Sequence, residues 1–341
     1  MDTLVSFGQL FLAGFQTPTL GFLLGGMFMA AMGSRLSIPD QVYKFIVFVL
    51  LMKIGLRGGM EIRNANLAEL LLPAFFAVLI GIIIVYGGKV ALSKLPGIRP
   101  VDAIATAGLF GAVSASTFAA AMLHLDDIGM EYEAWVSALY PFMDITALVL
   151  AIVLARLVTQ KEDKANDKEA PKHKRKDINI QAIVVDSLRG SALSALILGL
   201  LLGLLTKPEP VYESFYNPVF RGFLSILMVI MGIEAWQRLS ELRRVAHWYA
   251  VYAVIAPLMH GAIAFGFGAI AHHLTGFSPG GVVLLAILAA SSSDISGPPT
   301  LRAGIPTANP SAFIGSSTSI GTPICIAIGI PLFTELAKVV F

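Results

Sequence analysis

Long apolar runs alternate with short polar segments along this chain, and each run approaches one bilayer crossing in length. A transmembrane helix needs about 20 such residues. Ten runs stand out: near 17–34, 42–60, 67–93, 102–124 and 134–158, then near 187–206, 217–237, 245–274, 279–303 and 311–338. The pattern predicts an all-α integral membrane protein with ten transmembrane helices, five on each side of a polar centre. That centre is a linker, 160–180, whose core Gln160 to Asp177 is charged throughout and too polar to bury. It is expected to be solvated and disordered.

The two halves, 1–159 and 181–341, repeat one another. Gly111-Ala112-Val113-Ser114-Ala115-Ser116-Thr117 interrupts the fourth run, and Ser291-Ser292-Ser293-Asp294-Ile295-Ser296-Gly297-Pro298-Pro299 interrupts the ninth. One offset aligns them (291 − 114 = 177, 294 − 117 = 177) and also lays Gly55 on Gly232 and Gly26 on Gly203. A constant offset over separate segments is the mark of an internal duplication. An odd number of crossings per half inserts the halves in opposite orientations, which predicts a 5+5 inverted repeat.

Composition sharpens this picture. The chain is 56% hydrophobic and 13% charged, against about 25% charged residues in soluble domains. The net charge of +2 is small and gives no reason to expect a nucleic-acid partner. Basic residues collect in the linker, from Lys161 to Lys176, which places it in the cytoplasm and both termini outside. Arg35, Lys44, Lys94, Arg99, Arg238, Arg243, Arg244 and Arg302 then fall inside, and the acidic loop Asp126-Asp127 to Glu133 outside. Met1 to Gln16 lacks a basic region and an A-x-A site, so no cleavable leader is expected. Cys325, the lone cysteine, reads as a small buried hydrophobe.

Serines inside a membrane helix often bond back to their own helix. That account does not cover Asp294, since a carboxylate at mid-bilayer is expensive unless paired or bound to a cation. Nor does it cover Ser-Gly-Pro-Pro, because two prolines remove two helix donors. The ninth helix is therefore expected to break near Ser293–Gly297 and restart at Pro298, with the fourth interrupted near Gly111–Thr117. A restarted helix offers free amides to a small anion, and the preceding end offers carbonyls and hydroxyls to a hard cation such as Na⁺. For Asp144 in Tyr140-Pro141-Phe142-Met143-Asp144, ion ligation and interfacial capping both stand. Gly315-Ser316-Ser317-Thr318-Ser319 either lends hydroxyls or packs closely. Arg57 and Glu234 share the 177 offset and either pair or are solvated. His260 reads as a core histidine more readily than as a proton relay. Gly21-x-x-x-Gly25 and Gly199-x-x-x-Gly203 read as close helix contacts. No H-E-x-x-H, G-x-S-x-G or P-loop appears, so neither catalysis nor ATP drive is indicated.

The chain resembles the cyanobacterial sodium-dependent bicarbonate transporters known as SbtA. The resemblance runs over nearly the whole length. It is carried by Gly108-Leu109-Phe110-Gly111-Ala112-Val113-Ser114, by Ala138-Leu139-Tyr140-Pro141-Phe142-Met143-Asp144-Ile145, by Leu224 to Met228, and by the run from Ala289 to Pro306 continued in Ile314-Gly315-Ser316-Ser317. The clearest departure is the central linker, which is shorter than in some members. The resemblance implies a Na⁺/HCO₃⁻ symporter feeding a carbon-concentrating mechanism, in the inner (plasma) membrane. It also implies a homotrimer and a PII-like soluble partner, SbtB, on the cytoplasmic face. Within each protomer it implies a gate domain, about 1–64 plus 187–237, and a core domain, about 65–158 plus 245–338, with helices 4 and 9 crossing in the core.

On this reading bicarbonate is expected at Gly111, Ser114, Ala115, Ser116, Thr117, Ser293, Ser296 and Gly297. Na⁺, the coupling ion, is expected at Ser291, Ser292, Asp294, Asp144 and Ser316, with no organic cofactor. Cation binding would neutralise Asp294 and favour anion entry. A Na⁺-coupled symporter of another small anion, and a non-transporting scaffold or sensor for a cytosolic partner, are the alternatives. A proton antiporter fits less well, since Asp294 is the one clear midplane acid.

Overall fold

A computed structural model of the chain describes residues 18–63, 67–166, 188–242 and 247–341, with Gln181 and Val185. Met1 to Gln16, the linker beyond Asn166, and Arg243 and Arg244 lie outside the described residues. Among the described residues all regular structure is helical. The first half contains α1 (Pro18–Ala31), α2 (Asp40–Ile62), α3 (Leu67–Ser93), α4 (Pro100–Gly111), α5 (Ala115–Ile128) and α6 (Leu139–Asn166). The second contains α7 (Ser191–Leu205), α8 (Asn217–Leu242), α9 (His247–Thr275), α10 (Pro279–Ala290), α11 (Gly297–Gly304) and the helical run α12 (Pro310–Val340).

Each of the ten apolar runs is helical where described, and the fourth and ninth are split into α4/α5 and α10/α11. Among the described residues six segments are long and apolar enough to cross a membrane: Glu69–Ser93, Pro100–Ile128, Ala134–Thr159, Glu209–Leu239, His247–Thr275 and Pro310–Val340. Pro18–Ala31, Ser191–Leu205 and Pro279–Ala290 are apolar but shorter. The α2 helix has the length but carries Lys44, Lys53 and Arg57 along its middle. Packing accommodates these charges. Lys53 is buried with its ammonium 4.0 Å from the Phe220 ring centre, a cation–π contact. Arg57 donates to Tyr132 Oη (2.6 Å) and Asp126 Oδ1 (3.2 Å), so its partners are these and not Glu234. Burial pushes the Tyr132 phenol up against the pull of Arg57, and it stays a donor, to Asp126 at 2.8 Å.

Helix α6 runs on to Asn166, into the stretch read as a disordered linker. Lys161, Glu162, Lys164 and Ala165 there are good helix formers, and propensity prevails over polarity once a helix is already nucleated.

Glycine decides how the outer helices meet. Gly55 and Gly59 on α2 lie against Leu196, Gly199, Leu200 and Gly203 on α7, with backbone touching backbone. On α1 and α8 the same contact recurs through Gly26, Val229 and Gly232. The expected contact at Gly21 and Gly25 is not made, because nothing lies within 4 Å of a Cβ at either; Gly26 replaces them. Thus α2 packs on α7 and α1 on α8, while α3 packs on α4 and α6 as α9 packs on α10. Helices α4 and α10 are buried on all sides along nearly their whole length. Their all-round apolar sequence suits such central positions, and both end at polar breaks deep in the protein.

Three π-turns share one sequence signal. Tyr212–Tyr216, Ser317–Gly321 and Cys325–Gly329 each end two residues before a proline, Pro218, Pro323 and Pro331. A proline withdraws its N–H and its ring repels the carbonyl four residues back, and the turn widens to i→i+5 pairing.

Candidate functional site

The first break spans 112–114 and the second 291–296. In the first, Ala112 N still donates to Gly108 O, but the next helical bond is missing. Val113 N donates instead to Asp144 Oδ1 at 2.9 Å, from α6. The vacated acceptor, Leu109 O, receives Ser293 N from the second break at 3.1 Å. Val113 O in turn accepts from Tyr140 Oη at 3.0 Å. Val113 N, Val113 O and Leu109 O, freed by the break, are thus each satisfied by another element, as buried peptide groups require.

Helix α5 restarts with Ser114 as its cap, the hydroxyl accepting from Thr117 N at 3.1 Å. Helix α11 restarts at Gly297, whose amide donates to Ser293 Oγ at 2.8 Å, ahead of Pro298 and Pro299. A Cβ at Gly297 would stand 2.6 Å from Leu109 Cδ1 and 2.7 Å from Ser293 Cβ, so a side chain there would displace groups of both α4 and the second break.

The breaks meet. Ser114 N donates to Ser291 Oγ at 3.0 Å, joining the two residues that the 177 offset equates. Each carboxylate is held from the opposite half: Ser116 Oγ donates to Asp294 Oδ2 at 2.5 Å, and Ser296 Oγ to Asp144 Oδ2 at 3.3 Å. Ser114 and Ser116 hydroxyls lie 3.0 Å apart, as do those of Ser293 and Ser296. Ser114, Ser116, Thr117, Asp144 and Ser291 are all fully buried, and Ser292, Ser293 and Ser296 nearly so.

Of the residues read from the sequence, Ser114, Ser116, Ser291, Ser293, Asp144, Asp294 and Ser296 form this one network. Ala115 and Thr117 open α5 beside it. Gly111 closes α4 and faces Val85 and Ala147, a packing position. Ser316 donates to Ala312 O at 2.6 Å within its own helix; its neighbour Ser317 reaches Ser292, hydroxyl to hydroxyl, at 2.7 Å. Sequence reading assigned Tyr140 no role of its own and offered Ser317 only as one hydroxyl among those of 315–319. Ser317 lies in a π-turn that Pro323 signals, and Tyr140 lies one turn from Asp144 in a motif already noted. His260 is buried with its ring edge-on to Tyr252 and its Nδ1 without a partner, as a core histidine packed beside the network.

Several buried atoms near the breaks have no hydrogen-bond partner: Asp294 Oδ1, Thr117 Oγ1, Ser319 Oγ and Thr322 Oγ1. A buried, unpaired carboxylate oxygen is costly. Among the described residues no three His, Cys, Asp or Glu gather to hold a metal; the acidic groups at the breaks are Asp144 and Asp294, set among hydroxyls.

A cavity of about 620 Å³ opens between α1 and α8 on one side and α5 and α12 on the other. Its lining is mostly apolar, with Arg221 paired to Asp127 (2.5 Å) and Lys338 to Glu335 (2.7 Å). Ala120, which lines it, is one helical turn from Ser116 on α5.

Two comparisons with known proteins complete the description. Residues 18–338 match the family model described as the Na⁺-dependent bicarbonate transporter superfamily. No curated protein matches the chain.

Proposed function

Because the chain belongs to the Na⁺-dependent bicarbonate transporter superfamily, we propose that it is a Na⁺/HCO₃⁻ symporter whose ligands meet at the two helix breaks. The observation that supports this most directly is the unpartnered Asp294 Oδ1, buried where two helix ends converge. A monovalent hard cation satisfies that oxygen together with neighbouring hydroxyls. The carboxylate oxygens of bicarbonate need donors, which the first-turn amides and hydroxyls of α5 supply without a buried arginine, and its one O–H needs an acceptor, which a serine hydroxyl oxygen can be.

The packing supports an inverted repeat of ten crossings. Under the 177 offset the α2–α7 pair corresponds to α8–α1, α3–α4 to α9–α10, and α4–α6 to α10–α12, and each pair is in contact. The same contacts support a gate domain of α1, α2, α7 and α8 and a core domain of the remaining helices. The cavity between α1/α8 and α5/α12 lies on the boundary of these two groups, where movement of core against gate would give alternating access. Orientation, with the linker inside and both termini outside the plasma membrane, is supported by the basic linker. The homotrimer and the PII-like partner are supported by the family resemblance.

The test is uptake of radiolabelled bicarbonate into proteoliposomes, with carbonic anhydrase present to control for CO₂ leak. Uptake should require an inward Na⁺ gradient in the wild type and lose that drive in Asp294→Ala. Equal uptake with Na⁺ and with choline would overturn symport, and no uptake in either would point to another anion.

A further inference from the structure

We propose that the Asp294 carboxylate is a resident stand-in for the transported anion, seated on the amino end of α5, and that Na⁺ admits bicarbonate by drawing it away. The proposal rests on the symport reading and specifies how the two ligands are coupled.

Four observations carry it. Helix α5 begins without an acidic residue in its own first turn, although anions are favoured there by the helix dipole. The vacancy is filled from the other half of the chain: Ser116 Oγ donates to Asp294 Oδ2 at 2.5 Å. Asp294's own amide, the Ser114 hydroxyl and the Ala115 amide lie close enough to act on the same carboxylate, two of the three coming from the start of α5. The other oxygen, Oδ1, is buried and unpartnered, so one face of the carboxylate is satisfied by α5 and the other is open to a cation.

A carboxylate and bicarbonate present the same planar pair of oxygens to donors. Donors arranged for one hold the other, and two such anions cannot share one helix end, because their charges repel at close range in a poorly screened interior. Bicarbonate arriving alone therefore competes with a tethered anion at very high effective concentration. Na⁺ bound at Oδ1, with hydroxyls of the second break, both neutralises the competitor and pulls it toward Ser291 and Ser292. The α5 end is then free for bicarbonate. By linkage, bicarbonate raises Na⁺ affinity by the same factor.

An Asp294 that merely ligates Na⁺ would behave differently. Removing it would lose Na⁺ binding and leave bicarbonate binding weak. Removing a resident competitor instead releases the bicarbonate site from its need for Na⁺. The experiment is binding of radiolabelled bicarbonate to the purified full-length protein in nanodiscs, in Na⁺ and in choline. Wild type is expected to bind about tenfold or more tightly in Na⁺, within the usual range of allosteric coupling. Asp294→Asn and Asp294→Ala are expected to bind in choline nearly as tightly as wild type does in Na⁺, with Na⁺ adding less than about twofold. Folded variants that bind weakly in both salts overturn the proposal and leave symport standing. Wild type that binds bicarbonate in neither salt overturns the symport reading itself. A second measurement needs no mutation: hydrogen exchange of a peptide covering Val113 to Phe118 should quicken with Na⁺ alone, as the carboxylate leaves. Exchange that Na⁺ slows or leaves unchanged overturns the proposal.

Discussion

Gly55→Ala offers a direct measure of how closely α2 and α7 are packed. An added Cβ would lie 2.5 Å from Leu196 O and 2.9 Å from both Gly199 Cα and Leu200 N. Ordinary contact begins at 3.4 Å, so the helices must part by about 0.9 Å (3.4 − 2.5). The atoms met are backbone and cannot rotate aside, and the rest of the interface loses contact as the helices separate. Overpacking of this kind costs about 1–3 kcal/mol. Gly25→Ala is the control, because nothing lies within 4 Å of a Cβ there and alanine is the better helix former by up to about 1 kcal/mol. Thermal unfolding in detergent, followed by tryptophan fluorescence, should place Gly55→Ala several degrees below wild type and Gly25→Ala at or above it. Gly232→Ala, at the equivalent position facing Leu23, should behave as Gly55→Ala does. A Gly55→Ala protein that melts with the wild type would refute the close backbone contact, and with it the role assigned to these glycines.

Three further outcomes follow from the site and its supports. Ser278 Oγ accepts from Gly281 N and is itself held by Glu133 at 2.7 Å, so Ser278→Ala should cost about 1 kcal/mol, read as a lowered melting temperature with the KM for bicarbonate unchanged. Tyr140→Phe strips Val113 O of its side-chain donor and should cost about 1–3 kcal/mol, with slowed uptake because the first break loosens. Asp144→Ala orphans Val113 N and leaves Ser296 Oγ with Ser293 alone, whereas Asp144→Asn keeps one acceptor; unfolding curves should rank wild type above Asn and Asn above Ala, and an Ala variant as stable as wild type would contradict the geometry.

Much of this architecture can be read from residues because its causes are local. Apolar length gives the helices, and Pro298-Pro299 with flanking serines gives the second break, since two missing donors cannot be hidden in a helix. The first break has no proline. It was legible only through the 177 offset, which transfers the stronger signal from one half to the other. What sequence could not supply was partnership. Asp294 was assigned to the cation and Ser116 to the anion, with no contact between them foreseen; they hydrogen-bond because the breaks cross and each half reaches into the other. Charge on α2 was likewise open: Arg57 finds Asp126 and Tyr132, residues far along the chain that only the fold brings near. Which serine of 315–319 reaches the second break was also open: Ser317 meets Ser292, while Ser316 bonds back to its own helix.

The two breaks differ in one further respect, and it bears on where the protein can bend during a cycle. The second is permanent. Pro298 and Pro299 have no N–H to return to the carbonyls of Asp294 and Ile295, and their rings would collide with those carbonyls, so α10 and α11 can never zip into one helix. The first is held open only by exchange: Val113 N has left Leu109 O for Asp144, and Leu109 O has taken Ser293 N. Ser114 N has likewise gone to Ser291 Oγ and Thr117 N to Ser114 Oγ, so the first break is held by hydrogen bonds that can be exchanged, with no covalent obstacle to a helical turn. The site thus joins a break fixed by proline to one held by hydrogen bonds alone, and if the proposed movement of core against gate reshapes it, the first half, at 112–114, is where bending is expected.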